Sequence, residues 1–369
     1  MLINELPDDC LHAVFDYLND LDDLINCYKV CIKWSHLIAE RTRKVKYLME
    51  LYPGHDCHYY RALKNVDGTH LSTVFPDLMI SYKLEEKEKR KDNFALGRNR
   101  ESWQGSFDTF YGPIEKYRFQ LKMVSFNLFE PSIQHGSRIK QLFEVVRLDL
   151  FEKDAHCFPN LERLNMENVE SHCYDGPVLE KLKIAEFRLR SIFRNPVCYD
   201  FQFIDSCPNL QSAHITVETN RFFFDGTLKH ESLQDLVLTT QRIMSIEWDD
   251  LNRLLMKYPN LKHLALWRQS TITDEHIEEL VHMLPNLVLL DARGCRWVTQ
   301  RAAKYVRDYC KRYGRSIKFY FRGNYQEIES DWPQLSSKKE RISRGFDFMK
   351  HCFLKKFRDL PCFLIPIDD

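Results

Sequence analysis

Pro259-Asn260-Leu261-Lys262-His263-Leu264-Ala265-Leu266 and Pro285-Asn286-Leu287-Val288-Leu289-Leu290-Asp291-Ala292 are two copies of one phrase, which begins twice more at Pro159-Asn160-Leu161 and Pro208-Asn209-Leu210. In each copy apolar residues follow the leucine three and five positions on: Leu164 and Met166, Ala213 and Ile215, Leu264 and Leu266, Leu290 and Ala292. Copies without the asparagine read Leu179, Leu182 and Ile184; Leu233, Leu236 and Leu238; Val145, Leu148 and Leu150; and, more weakly, Ile114, Tyr117 and Phe119. The leading residues fall at 114, 145, 161, 179, 210, 233, 261 and 287, in steps of 16 to 31 residues, so the repeat is irregular. A short strand with alternate residues turned to a shared core, then a returning helix or loop, satisfies this pattern. One copy cannot bury its own apolar face, so the copies must stack.

Two returning helices are legible. Thr273 to Val281 carries Thr273 or Asp274 as cap, with Ile277, Leu280, Val281 and Leu284 inward. Gln300 to Arg312 turns Ala303, Val306 and Cys310 inward. Beyond residue 326, Phe346, Met349, Phe353, Phe357 and Leu360 recur at roughly helical spacing. They predict a helix capping the open end of the stack; a tail laid across its binding face is the alternative. Between residues 49 and 110 the pattern fades to a hint at Pro76-Asp77-Leu78 and a mixed-charge run, Lys83 to Lys91.

Working outward to the N-terminus, residues 1–38 hold 22 apolar residues, a density above the chain's 44%. Leu6-Pro7-Asp8-Asp9 opens a first helix, because proline suits a first turn and acids there meet the positive end of the dipole. Leu11, Val14, Phe15 and Leu18 form its stripe. Asp20 to Asp23 opens a second, with Leu24, Ile25 and Tyr28, and Val30, Cys31, Trp34, Leu37 and Ile38 make the face of a third. So small a unit has little interior. Leu2, Ile3, Leu6, Leu21 and Ile25 lack an internal home, and surplus apolar surface marks a protein-binding face.

The spacing of Leu6-Pro7, Leu11, Val14-Phe15, Leu18, Asp23-Leu24, Val30-Cys31, Trp34 and Leu37-Ile38 resembles the F-box family. That resemblance implies docking on the Skp adaptor and, through it, on a cullin scaffold, with Leu6, Pro7, Leu11, Val14, Phe15, Leu18, Leu24 and Trp34 at the adaptor-binding residues. Tyr28 replaces the commoner smaller residues of its position, and Cys10 a more usual leucine or acid. The repeats resemble leucine-rich repeats, and Leu287 to Thr299 looks like the cysteine-containing subtype, in which Cys295 packs between repeats. Strands of an ordinary α/β domain are the alternative. The expected fold is therefore α/β: an F-box at 1–48, a linker or degenerate first repeats at 49–110, an irregular leucine-rich-repeat solenoid at 111–325 and a C-terminal cap or tail at 326–369. The resemblances imply a substrate receptor of a ubiquitin ligase, with a non-degradative scaffold or a nucleic-acid-binding repeat protein as alternatives.

Chemistry-bearing motifs are absent from the sequence: no glycine-rich dinucleotide or phosphate loop, no His-Glu-x-x-His, no Gly-x-Ser-x-Gly. Asp8-Asp9 and Asp22-Asp23 sit where helix starts favour acids. Cys27 and Cys31 have no second pair to complete a zinc site, and His55, Cys57 and His58 lack a distant partner. We expect no catalytic residue, no metal and no cofactor. The 53 basic residues equal the 53 acidic ones, yet residues 300–358 hold 16 Lys and Arg against six acids, while the first 26 residues hold seven acids and no Lys or Arg. In the solenoid reading the face for a target carries Asn165, Glu167, Lys183, His214 and Thr216. Toward its basic end come Trp267, Arg268, Arg293, Arg296, Tyr320 and Arg322, and these last six are the substrate-binding candidates. Their charge predicts an acidic or phosphorylated partner; neutrality overall speaks against nucleic acid. No run of about 18 apolar residues and no signal-peptide pattern appears, so the reduced cysteines and the composition predict a cytoplasmic or nuclear protein, with Lys338-Lys339-Glu340-Arg341 as a candidate nuclear address.

Overall fold

The computed structural model describes residues 3, 6–16, 21–43, 48–49, 80–81, 123–125, 136–145, 148–168, 172–189, 197–240, 246–335 and 342–365. The expectations for Leu18, for His55, Cys57 and His58, for Pro76, Lys83 to Lys91, Ile114, Tyr117 and Phe119, and for Lys338 to Arg341 lie outside these residues. The chain divides into two compact units, Met1–Ile139 and Lys140–Asp369.

In the first unit the expected three short helices are α1 (Asp8–Asp16), α2 (Leu21–Tyr28) and α3 (Ile32–Arg43). The carbonyl of Pro7 accepts from the Cys10 and Leu11 amides at 3.0 and 3.1 Å, so the proline stands at the mouth of α1, and Asp8 and Asp9 occupy its first turn. Two two-residue strands, β1 (Leu48–Met49) and β2 (Ile80–Ser81), pair in parallel, and β3 (Met123–Ser125) follows.

The second unit is built on parallel strands in sequence order: β4 (Gln141–Val145), β5 (Arg163–Asn168), β6 (Ile184–Leu189), β7 (Ser212–Val217), β8 (Asp235–Thr240), β9 (His263–Trp267), β10 (Leu289–Asp291) and β11 (Lys318–Tyr320). Between them run α4 (Leu148–Asp154), α5 (Asp200–Asp205), α6 (Trp248–Leu255), α7 (Asp274–Met283) and α8 (Gln300–Tyr313).

The recurring phrase has a mechanical meaning. The amides of Leu161, Leu210, Leu261 and Leu287 each donate to the carbonyl three residues back, at 3.1 to 3.3 Å, which puts proline and asparagine in the two centre positions of a tight turn. Asn209 and Asn260 then reach back to the carbonyls of Glu180 and Glu231 in the preceding turn, at 2.8 and 2.9 Å. Asn286 bonds the Asn260 side chain at 3.0 Å. The same turn ends at Leu182 (on the Leu179 carbonyl, 3.2 Å) and at Ile139 (on the Gly136 carbonyl, 2.9 Å).

Two copies of the phrase are thereby corrected. Leu182, Ala185 and Phe187 take the places expected for Leu179, Leu182 and Ile184, because Leu164 pairs with Ala185 and Met166 with Phe187. Ile139 replaces Val145 as a leading residue, and Leu148 begins α4 instead of a strand. The leading residues 139, 161, 182, 210, 233, 261 and 287 are then 21 to 28 residues apart, more regular than the sequence indicated. The misreading arose because Ile184 is apolar too, although it faces the other way.

On one face of the sheet the alternate residues meet the connecting segments. The rings of Phe187 and Phe203 of α5 are 4.9 Å apart, and Tyr174 and Phe151 of α4 extend the cluster. Cys295 packs between copies as expected: its thiol donates to the Leu266 carbonyl at 3.2 Å, and burial pushes it up to about 12. A capping box at Thr273 and His276 starts α7, settling the cap in favour of Thr273. Thr299 caps α8 and binds the Asp274 carboxylate through both its amide and its hydroxyl, at 2.7 and 2.6 Å. Gly314, with φ of 64°, ends α8 in the left-handed conformation that favours glycine. Ala302 and Val306 are buried on α8, whereas Ala303 and Cys310 are only half-buried.

Asp200, the first residue of α5, is buried beside Cys198, and burial pushes its carboxyl up to about 7. A carboxyl that keeps its proton when folded stabilises the fold fully below its unfolded value of 3.8, and this contribution is lost as pH rises through about 7. Asp200→Asn is expected to gain stability relative to the parent on going from pH 5 to about 8. Parallel denaturation curves for the two proteins across that range would refute the assignment.

The segment after residue 326 corrects the sequence reading. In place of one capping helix it forms α9 (Ile328–Asp331), β12 (Ile342–Arg344), α10 (Phe348–His351) and β13 (Phe363–Ile365), with β12 and β13 paired in parallel. It covers the second face of the sheet: Phe348, Cys352, Phe353, Phe357, Leu360 and Leu364 share one buried cluster with Ile184, Val237, Ala265, Leu289 and Tyr320. The strands are therefore buried on both faces, as parallel strands ordinarily are.

Candidate functional site

Two surfaces carry the residues singled out in the sequence. The first lies on the helices of the N-terminal unit. Leu11, Phe15 and Ile38 are fully buried, Trp34 and Leu37 nearly so, and the Phe15 and Trp34 rings meet edge to face at 5.1 Å. Leu6, Cys27, Tyr28 and Cys31 pack against this cluster, so the two cysteines are packing residues. Lys33 donates to the Leu6 carbonyl at 3.0 Å and pairs with Asp8 at 2.9 Å, fixing the entry into α1.

Of the expected adaptor contacts, Leu11, Phe15 and Trp34 thus build the interior that holds the face, while Leu6 is half-buried and Pro7 and Val14 are exposed. Leu24 is placed on α2. The sequence reading turned Val30 inward; it stands before α3 and is 56% exposed, and Ile32, at 77%, joins it. Ile3 is exposed as well. These exposed apolar groups on a unit with so small an interior are its distinguishing chemistry. The signal available for Val30 and Ile32 was that the core already had its quota in Leu11, Phe15, Trp34, Leu37 and Ile38.

The second surface is the face of the sheet beneath the tail, whose centre is polar. Arg163 and Glu186, adjacent on β5 and β6, form an ion pair at 2.8 Å with both side chains almost completely buried. Asn165 donates to the same carboxylate at 2.8 Å. The guanidinium also donates to the carbonyls of Pro361 and Cys362, at 2.6 and 3.2 Å. The Gln141 amide closes a two-way bond with the Leu364 backbone, at 2.6 and 3.0 Å. His214 of β7 bonds the Lys355 carbonyl at 2.8 Å, between the rings of Trp267 and Phe357, and burial holds its imidazole below the usual range. Thr216 is buried, Glu167 pairs with Arg188, and Lys183 pairs with Glu162 at the strand's start.

The substrate-binding candidates separate into two groups. Trp267 and Arg293 are brought together: both bond the fully buried Asp291, at 3.0 and 2.7 Å, and the guanidinium lies 5.6 Å over the indole. Tyr320 is buried, its hydroxyl on Asp331 at 2.9 Å. All three are engaged within the protein, Tyr320 in the interior and Trp267 and Arg293 half-buried. Arg268, Arg296 and Arg322 are exposed, each in the turn after its strand. Arg268 takes φ of 60°, and the close approach of Gly294 to its amide leaves no room for a Cβ there.

Trp297, part of the Leu287 to Thr299 phrase but given no binding role there, is 58% exposed beside a shallow groove that also presents Trp248 stacked on His276 at 4.3 Å. Among the described residues no cluster of His, Cys, Asp and Glu could hold a metal ion, and no helix is long and apolar enough to cross a membrane. Comparison with known families matches residues 3–43 to the F-box-like model. No curated protein matches the chain.

Proposed function

We propose that this chain is the target-recognition subunit of a Skp–cullin–F-box ubiquitin ligase. The observation that carries the reading is the F-box-like match at residues 3–43, on helices whose exposed Ile3, Pro7, Val14, Val30 and Ile32 leave apolar surface for a partner. F-box domains typically bind the Skp adaptor, which joins them to a cullin and a ubiquitin-conjugating enzyme. We read Lys140–Asp369 as an irregular leucine-rich-repeat unit that holds a target protein; the Pro-Asn-Leu turns, the sequence-ordered parallel strands and the Cys295 contact support that reading. The chain transfers nothing itself. Tethering raises the effective concentration of target lysines near the conjugating enzyme, which supplies rate without new chemistry in this subunit. Such a subunit works in the cytoplasm or nucleus.

Co-expression with the Skp adaptor tests the reading. The intact chain is expected to co-purify as a one-to-one complex, and Leu6→Ala with Pro7→Ala to weaken it by about tenfold or more, as loss of interface anchors does. Because Leu6 also packs on the helical core, Ile32→Glu at an exposed position serves as a second variant, with circular dichroism confirming that each remains helical. A folded intact chain that ignores the adaptor would remove the proposal.

A further inference from the structure

The basic surplus of residues 300–358 is largely consumed within the fold wherever it nears the sheet. Lys318 pairs with Asp331 at 2.9 Å, and Arg315 donates to the carbonyls of Val281, Leu284 and Leu287, at 2.7 to 3.1 Å. On α8 the situation differs. Lys304, Arg307, Lys311 and Arg312 are exposed and make no ion pair or side-chain hydrogen bond among the described residues; Asp308 is the one acid on that arc. Positions 304, 307 and 311 follow the i, i+3, i+7 rule and stand in one row along the helix. The dipole accounts for basic residues in the last turn, where Lys311 and Arg312 sit. It offers nothing to Lys304 and Arg307, and like charges at i and i+4 disfavour the helix slightly.

A second row runs beside the first. Tyr305 and Tyr309 stack at 6.4 Å and 17°, and Tyr309 and Tyr313 follow at 4.7 Å. His282 of α7 backs them, with Nε2 2.9 Å from the Tyr305 hydroxyl and its ring 4.6 Å from Tyr309. The ladder ends at Tyr313, 56% exposed. Cations in a row along a buttressed aromatic ladder combine the two residue types, Arg and Tyr, that most often anchor protein interfaces.

We infer that the outward face of α8 docks an acidic, Asp- and Glu-rich segment of a partner protein, its carboxylates on Lys304, Arg307 and Lys311 and its apolar groups on Tyr313. The row spans about 10 Å, the reach of a short peptide, at the 1.5 Å rise of a helix. A nucleic-acid backbone fits poorly, because Glu275 and Glu278 pair with Arg301 at the start of the same helix and Asp308 interrupts the row. This inference deepens the receptor reading and rests on it only in taking the partner for a target.

The test uses the full chain and a fluorescent peptide of about fifteen residues, rich in Asp and Glu with one central Tyr, read by anisotropy at low and at moderate salt. Lys304→Glu, Arg307→Glu and Lys311→Glu together are expected to weaken binding about tenfold or more, as reversal of an electrostatically complementary patch does. A control reversal of the exposed Lys153 and Lys181 should change it less than about twofold, and Tyr313→Ala should weaken it several-fold, which bare charge attraction would not produce. Equal binding by the α8 and control variants, absence of binding, or displacement of the peptide by a same-length single-stranded or duplex DNA that binds more tightly would each overturn the inference. Adaptor co-purification of the α8 variant is expected to be unchanged. Absence of peptide binding by the intact chain with adaptor binding intact therefore counts against this surface alone, and adaptor failure with peptide binding intact counts against the receptor reading alone.

Discussion

Arg163→Met is expected to destabilise the C-terminal unit by about 3–5 kcal/mol, the usual cost of removing one partner from a buried ion pair. The substitution strands the Glu186 carboxylate, fully buried and left with the Asn165 amide and the Cys352 thiol. It also takes the donor from the Pro361 and Cys362 carbonyls, which loosens the approach to the last strand of the tail. Chemical denaturation followed by tryptophan fluorescence gives the size of the effect, and protease sensitivity around residues 355–365 gives its location. Arg163→Met combined with Glu186→Met should recover much of the loss, since replacing both charges by apolar groups of similar volume is often close to neutral. A single variant within about 1 kcal/mol of the parent would overturn the prediction.

Ending the chain before Ile342 is expected to have the larger structural consequence. The truncation uncovers Ile184, Val237, Ala265, Leu289 and Tyr320 together with the Arg163–Glu186 pair, and removes Phe348, Phe353, Phe357, Leu360 and Leu364. Each fully buried Phe or Leu accounts for about 1.5–3 kcal/mol of burial, and a contiguous apolar face of this kind drives self-association. The truncated chain should bind a hydrophobic dye strongly, elute as oligomers and unfold at lower denaturant, while still co-purifying with the Skp adaptor through residues 3–43. A monomeric truncated chain with unchanged dye binding and an unchanged midpoint would show that the tail is an appendage and not half of the core.

Both results bear on where the proposed receptor would hold a target. A face already filled by Phe353, Phe357 and Leu364 does not receive a second peptide without releasing the first. The basic and aromatic residues that remain on the outside, above all those of α8, are where the receptor reading has surface to work with.

How far the sequence reached differs between elements for physical reasons. Local signals were sufficient where structure is set by neighbours in the chain: Pro7 with Asp8 and Asp9 at the start of α1, and Thr273 as one of the two caps offered for α7. The burial of Leu11, Phe15 and Trp34 followed from periodicity, but periodicity alone could not separate them from Val14, which the same stripe includes and the fold leaves exposed. The repeat register slipped at Ile184, and Arg163 and Glu186 went unremarked, because both errors concern the second face of the sheet. Continuous apolar runs such as Leu236-Val237-Leu238 and Leu264-Ala265-Leu266 already said that both faces are buried; they could not say by what. Sequence by itself determined the N-terminal helices, the strand-per-phrase architecture and the basic C-terminal surplus. Only the tertiary structure decided that the tail lies across the sheet, since a cover made from residues distant in the chain leaves no periodic mark and is fixed by packing and by bonds such as His214 to Lys355 and Gln141 to Leu364.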